Sequence, residues 1–368
     1  MRAMPNAVEN SRRAFHHQVL SWAYHLGVTS KLIRLRRSVL TVLCYHRIGE
    51  PASSGFHGFK ANFSASPERF ERHIDYLCQH FTPIRGSDLC EFVDRAEKLP
   101  RRPVLVTFDD GYKDNAEVAW PILRSRGVPA IVFLVTDHIG ASHPFLWDFA
   151  AYCFHRTECV FADVPLLGRT SLRSQADRDS ATENWMMRSK ALPAAGRWSA
   201  ADAMRRSLAV VVPNAAFSGL YLSWDDVRRL ASEGLEFGGH TRTHPILTTM
   251  PLDEAREEIT GSHERISAEL GRPPVAFAYP NGSRMDFTRE HEAAVRQSGY
   301  SLAFSLEPGP IALTKARQRP MAIRRIYVGF KDDMPRFAAK LAGAWQFGAF
   351  LRHHSARPVS HDGVSGSY

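Results

Sequence analysis

Along the chain, short unbroken hydrophobic runs alternate with longer stretches of helical period. Residues 39–44 (VLTVLC), 103–108 (PVLVTF), 128–135, 235–239, 275–279, 300–306 and 321–328 read as strands. Between them, residues 67–80, 114–126, 223–233, 252–270 and 286–298 read as helices. Ser66-Pro67 and Ser223 supply start signals, and Gly127, Gly271 and Gly299 supply stops. Strands alternating with helices predict an α/β fold with a mainly parallel sheet, either open or closed as a barrel. Ligands of such folds bind past the carboxyl ends of the strands. Tyr45-His46, Asp109-Asp110, His240 and Tyr279-Pro280 all fall just beyond predicted strand ends, which collects them on one rim.

Residues 141–219 break this rhythm with helix-like pieces, many Arg and Ala residues and Trp147, Trp185 and Trp198. They are expected to form a mostly helical insertion that caps the rim of a main domain over 39–330. A C-terminal helix is expected over 331–352, followed by a disordered Ser/His/Gly-rich tail at 353–368. Residues 1–38 are a basic amphipathic arm, in which Phe15, Val19, Leu20, Trp22, Leu26, Leu32, Ile33 and Leu35 are interspersed with arginines and Lys31. Such a segment either packs on its own domain or lies against an anionic membrane.

Charge sharpens that second alternative. Forty-seven Lys and Arg against 38 Asp and Glu give a net charge of +9 in 368 residues, which favours anionic surroundings. No nucleic-acid recognition motif accompanies it, so no nucleic-acid partner is expected. The five cysteines form no CxxC pair, which speaks against a disulfide framework or a thiolate zinc site and for a reducing compartment. No apolar run reaches the roughly 18–20 residues of a membrane span, and the N-terminus lacks a secretory pattern. The expected location is therefore cytoplasmic, peripheral on the inner membrane if the arm binds lipid.

The chemistry concentrates in Thr107-Phe108-Asp109-Asp110-Gly111 and, about 130 residues later, His240-Thr241-Arg242-Thr243-His244. An Asp-Asp-Gly run is commonly a polar turn, and a spaced histidine pair is often a surface feature. Two such segments at strand ends of one sheet suggest more. One carboxylate and two neutral imidazoles hold a divalent ion with positions left open, the mark of a catalytic site. Asp110, His240 and His244 are the expected ligands of one such ion. The four-residue spacing puts both histidines on one face if the backbone is helical or tightly looped. Asp109 is then free to act as general base toward water.

These segments resemble the polysaccharide deacetylase family, the family-four carbohydrate esterases with a nodulation-protein-type domain. TFDDG matches that family's first motif and H[ST]xxH its second at every position. The resemblance covers roughly residues 39–330 apart from the insertion, and implies a distorted (β/α) barrel. It also implies Asp109 as base, Asp110 with both histidines as ligands of one divalent ion, zinc first, and hydrolysis of an N-acetyl group on a sugar.

The third motif departs from the family's Arg-x-Pro-Tyr, reading Ala278-Tyr279-Pro280-Asn281-Gly282 here. The backbone N–H of Asn281 can still hold an oxyanion. The arginine that orients the base is missing at Ala278; Arg324 or Arg325 stands near enough in the predicted order to replace it, with Arg325 assigned. The family's late Leu-x-His is absent too. Instead Cys44-Tyr45-His46 and FAYPNG at 277–282 resemble the biofilm-exopolysaccharide deacetylase branch, which implies His46 as general acid. Tyr112, Trp147, Asp148 and Tyr279 are candidate sugar contacts, although aromatic residues are as often core. The expected function is metal-dependent deacetylation of an N-acetylhexosamine saccharide, a surface polysaccharide or its lipid-linked precursor. Two alternatives stay open: an amidohydrolase acting on a non-sugar amide, and an inactive polysaccharide- or lipid-binding protein on the same fold.

Overall fold

The computed structural model describes residues 7–51, 58–95 and 97–343. Its main sheet comprises β1 (Val39–Tyr45), β2 (Thr82–Pro83), β3 (Pro103–Phe108), β4 (Ala130–Leu134), β5 (Glu236–Gly239), β6 (Ala276–Ala278), β7 (Leu302–Phe304), β8 (Ile311–Ala312) and β9 (Ile326–Tyr327). The spatial order is β7-β6-β5-β4-β3-β1-β8, with β9 also pairing β1 and β2 pairing β3. Every pairing is parallel except β1 with β8. Phe304 at the far edge forms a parallel bridge with Ile323, just before β9. Ile323 donates its N–H to Ala303 at 2.9 Å and accepts from Ser305 at 2.8 Å. The sheet thus curls back toward β1 as a distorted (β/α) barrel.

Alternation along each strand divides the core in two. Val42, Leu105, Ile131, Phe133, Ala278 and Phe304 share one cluster inside the curl. Leu43, Val106, Phe108, Val132 and Leu134 face outward against Phe70, Ile74 and Leu77 of the helix Pro67–His80. Both faces are buried, which is why these strands read as unbroken apolar runs. Ser66 caps the helix Pro67–His80 by accepting from the Arg69 N–H, as its sequence predicts. Leu252–Leu270 ends at Gly271 with φ 66°, the left-handed cap that favours glycine.

Other expectations shift. The helix expected over 114–126 starts as a π turn, Asn115–Ala119, before the α-helix Trp120–Ser125. The strand expected over 321–328 shrinks to β9, preceded by the 3-10 turn Pro320–Ala322. Arg325 sits between them with its side chain buried inside the curl, bonded to Asp109 and to the Ser305 carbonyl rather than in an apolar strand face.

Between positions 141 and 219 lie the helices Leu146–Arg156, Gln175–Ser189 and Ala194–Ser207. A hairpin, Phe161–Val164 with Gly168–Ser171, was not legible in the sequence. These elements share a core around Phe154, Leu172, Trp185, Met204 and Phe217. The arm is two helices, α1 (Ala7–His25) and α2 (Val28–Leu35). α1 packs against the body through His17, 2.5 Å from Asp333, and through Tyr24 beside Tyr76. The C-terminal helix spans Met334–Leu341, and the tail expected at 353–368 lies outside the described residues.

Candidate metal centre and active site

The alternation that builds the barrel also divides the two aspartates. Asp109 extends β3 by one residue, its N–H donating to the Tyr45 carbonyl at 3.0 Å. Its side chain therefore points inside, on the same face as Thr107. Asp110 follows with φ 76° and Gly111 with φ 75°, so the chain turns sharply away. Asp110 takes a left-handed conformation that a non-glycine residue seldom adopts, and such strain clusters at functional sites. A Cβ on Gly111 would come within 2.8 Å of Ile139, so this position requires glycine twice over.

His240 follows β5 directly. Thr241 and His244 both have positive φ, 68° and 64°, so the HTRTH segment is a tight loop rather than a helix. The Thr241 hydroxyl braces it by accepting the His244 N–H at 2.9 Å. Glu258 accepts the N–H groups of Arg242 and Thr243 at 2.8 and 2.9 Å. The loop brings His240 Nε2 to 3.8 Å and His244 Nε2 to 3.6 Å from Asp110 Oδ1.

These residues fit a divalent cation. Asp110 Oδ1 is buried without a hydrogen-bond partner, a costly arrangement unless a positive charge meets it. Donor atoms 3.6 and 3.8 Å apart lie within a few tenths of an ångström of the spacing that one ion with ~2 Å bonds imposes. His240 Nδ1 lies 2.7 Å from the Ala278 carbonyl and donates to it, which leaves the Nε2 lone pair facing Asp110. Burial pushes both imidazoles below their ordinary range, His244 strongly, so both are neutral at neutral pH, the form able to bind a cation. Asp110 is raised, by burial first and by Asp109 second.

Asp109 has the opposite environment. Arg325 donates to both of its oxygens, at 2.6 and 2.8 Å, in a fully buried bidentate pair. Burial alone would raise this carboxyl; the Arg325 guanidinium and then His240 outweigh it and hold the group below the usual carboxylate range. Arg325 makes this contact, while the neighbouring Arg324 pairs with Glu307 at 3.5 Å. Arg325 is itself oriented by Thr107 and the Ser305 carbonyl, both at 3.3 Å.

His46 faces the other side of Asp109. A ring nitrogen of His46, the Cys44 sulfur and an Asp109 oxygen all lie within 4.8 Å of one another. Burial lowers the His46 imidazole to about 4, against the pull of Asp109. Its backbone is pinned at both ends: the N–H donates to Ser64 at 3.0 Å and the carbonyl accepts from Asn115 at 2.7 Å. Asn115 opens the π turn, a feature that often marks functional sites. The sequence assigns no role at the site to the Cys44 thiol or to Asn115. The signal available was that Asn115 closes the polar run after Gly111.

Asn281 also has positive φ, 57°, and Gly282 has 67°. A Cβ on Gly282 would meet the Leu306 backbone nitrogen at 2.7 Å, so glycine is required there. Among the described residues no hydrogen bond occupies the Asn281 N–H. It lies three residues after Ala278, whose carbonyl orients His240.

Three of the expected sugar contacts are corrected. Tyr279 is fully buried, stacked on Phe287 at 3.9 Å with its hydroxyl donating to the Met321 carbonyl at 2.9 Å. Tyr112 and Asp148 are also buried and bond each other at 2.8 Å. Asp148 further accepts from Tyr221 at 2.8 Å and from the Phe59 N–H at 2.7 Å. They dock the insertion onto the barrel and present no surface to a ligand. Trp147 alone keeps partial exposure. It stacks on Phe145 at 4.4 Å, and its ring centroid lies 5.0 Å from that of His244 with the two planes at 75°.

Fold, paired aspartates and looped histidines together define a class. The polysaccharide deacetylase family matches residues 96–303, more than half of the chain, and the chain belongs to that family. A 124-residue segment is 30% identical to poly-beta-1,6-N-acetyl-D-glucosamine N-deacetylase of Staphylococcus epidermidis, covering 31% of this chain and 42% of that protein. The chain thus spans about two fifths of that relative's length. Among solved structures, IcaB from Ammonifex degensii is similar over 82% of this chain and 97% of its own, with a TM-score of 0.53 and 20% identity. The deacetylase PplD of Streptococcus pyogenes, in complex with acetate, matches over 83% and 99%, with a TM-score of 0.53 and 15% identity. These two likenesses bear out the expected barrel fold.

Proposed function

We propose that the protein hydrolyses the N-acetyl group of an N-acetylhexosamine within a saccharide, releasing acetate and the free amine. One observation carries this reading: a partnerless buried oxygen on Asp110 faces two neutral imidazoles, beside a second carboxylate locked in place by Arg325. Asp110, His240 and His244 would hold a divalent cation, zinc being our first choice, which when bound would supply Lewis-acid polarisation of the acyl oxygen and lower the pKa of water. Asp109, ionised and fixed, takes the proton of the attacking water. The Asn281 N–H donates to the oxygen that becomes negative as the carbonyl is attacked. His46 is neutral at rest, because burial depresses it. The proton that Asp109 takes from water passes to the His46 ring, whose nitrogen lies within 4.8 Å of an Asp109 oxygen, and from there to the departing amine nitrogen. Atoms balance: water and amide become carboxylic acid and amine.

The choice of a sugar amide draws on the relative named for poly-beta-1,6-N-acetyl-D-glucosamine and on Trp147, a partly exposed amphipathic ring beside His244. Acetate release should be measured with zinc present on three classes of substrate: β-1,6-linked N-acetylglucosamine oligomers, lipid-linked N-acetylhexosamine and a non-sugar acetamide. Release from either saccharide class with none from the simple amide is expected. Turnover of the simple amide alone would replace the proposal by the amidohydrolase reading.

A further inference from the structure

α1 presents two opposite faces. His17, Ser21 and Tyr24 lie on the side that meets the body. Phe15, Val19, Trp22 and Leu26, spaced i, i+4, i+7 and i+11, form a stripe on the other side. All four are exposed, Trp22 at 71% and Leu26 at 72%. α2 repeats the pattern: Thr29 and Ile33 are buried, while Val28, Leu32 and Leu35 are exposed. Seven of the thirteen exposed large hydrophobic residues among those described therefore fall between positions 15 and 35. Singly exposed apolar residues need no explanation, but a contiguous set does.

Charge decides what covers it. Between Glu9 and Glu50 the chain has no Asp or Glu. Lys31, Arg34 and Arg37 are exposed next to the stripe. A second copy placed symmetrically on this surface would bring like charges together. An anionic lipid surface satisfies both features, taking the apolar residues into the acyl boundary and pairing the cations with headgroups. Among the described residues no helix is long and apolar enough to cross a membrane, so the contact is in the plane of the interface. We infer that α1 and α2 form a peripheral membrane-docking surface for anionic lipid. The inference is independent of the activity proposed above.

The test uses the full chain and sedimentation with two kinds of vesicle, phosphatidylcholine mixed with phosphatidylglycerol, and phosphatidylcholine alone. Wild type should sediment with the anionic vesicles and much less with the neutral ones. The double variant Trp22→Ser/Leu26→Ser should weaken binding at least about tenfold on the anionic vesicles. Lys31→Glu/Arg34→Glu should remove the preference for anionic lipid. All four side chains are exposed, so unfolding transitions should match wild type. Wild type that stays in the supernatant with both vesicles would overturn the inference. So would unchanged binding by the double variant, or a concentration-dependent dimer that dissociates in that variant without any vesicle binding, which assigns the stripe to a second copy.

Discussion

The two sides of the site begin from adjacent, chemically identical residues and end in opposite states. On one side Asp110 offers an oxygen with no partner to two neutral imidazoles, their Nε2 atoms 3.8 and 3.6 Å away. On the other, both oxygens of Asp109 are taken by Arg325. The first side is incomplete without a cation; the second already has its own. Burial raises both carboxyls, but only Asp109 has a guanidinium to reverse the effect. The one-residue reversal comes from the turn at φ 76°, which sends Asp110 out of the strand's alternation. Identity of residue type thus says little about role; the partner inside hydrogen-bond range sets it.

Removing groups from each side should separate binding from turnover. Asp110→Ala or His240→Ala should lose both bound metal and acetate release, as read by metal analysis and by an acetate assay. Asp109→Asn should keep its metal and lose about 10²–10⁴-fold in turnover, the range of a general base. A histidine variant with normal metal content would break the comparison at its root. Full activity in Asp109→Asn would do the same for the other side.

His46 should have the next largest effect. His46→Ala should keep metal and lower kcat by about 10²-fold, the low end for proton transfer. The ring is neutral near pH 7 because burial lowers it to about 4, so resting protonation does not limit the rate there. The loss should therefore be much the same from pH 6 to pH 8. A loss that vanishes on lowering the pH within that window would show that His46 acts in another way.

Much of this arrangement was legible because it rests on short-range signals. DDG at a strand end and a pair of histidines after another strand fix Asp109, Asp110, His240 and His244 with little help from the rest of the chain. Arg325 was narrower, since it hangs on a segment that is turn and bridge rather than strand. The sugar contacts failed for a different reason. Tyr112, Asp148 and Tyr279 are residue types that suit a binding rim and a polar-tipped core equally well. Which of the two they occupy depends on partners such as Tyr221, Phe59 and Phe287, and no local pattern reveals those. The insertion's hairpin is hidden for a related reason: its burial alternates, but the apolar Phe161 is on the exposed side and the small Ala162 on the inner one, so residue type does not mirror it.

Arg325 allows a finer test of the saturated side. Lysine keeps the charge but cannot make two parallel bonds. In Arg325→Lys the Asp109 carboxylate loses part of what holds it below the ordinary range, so its pKa rises. The acid limb of kcat/KM falls as pH drops through that pKa, and it should move to higher pH. Turnover at neutral pH should drop by about tenfold, equivalent to roughly one charge-assisted hydrogen bond. Metal content should not change. A limb that moves to lower pH, or stays in place, would detach Arg325 from the base.

Cys44 should have the smallest effect, and it sharpens the comparison most. Its thiol lies 3.4 Å from Asp109 Oδ2 and 3.9 Å from His46 Nδ1, with no exposed surface. Burial pushes the thiol well above its usual range, so it is a neutral, weak donor and no nucleophile. Arg325 makes two shorter, charged bonds to the same carboxylate, and these should dominate. Cys44→Ala is therefore expected to keep kcat/KM within about threefold and to leave the acid limb in place. Cys44→Ser, whose hydroxyl donates more strongly, should move that limb slightly to lower pH by stabilising the ionised carboxylate. A tenfold loss in Cys44→Ala with an upward shift of the limb would mean that the arginine alone does not saturate Asp109. The two sides of the site would then differ in degree only.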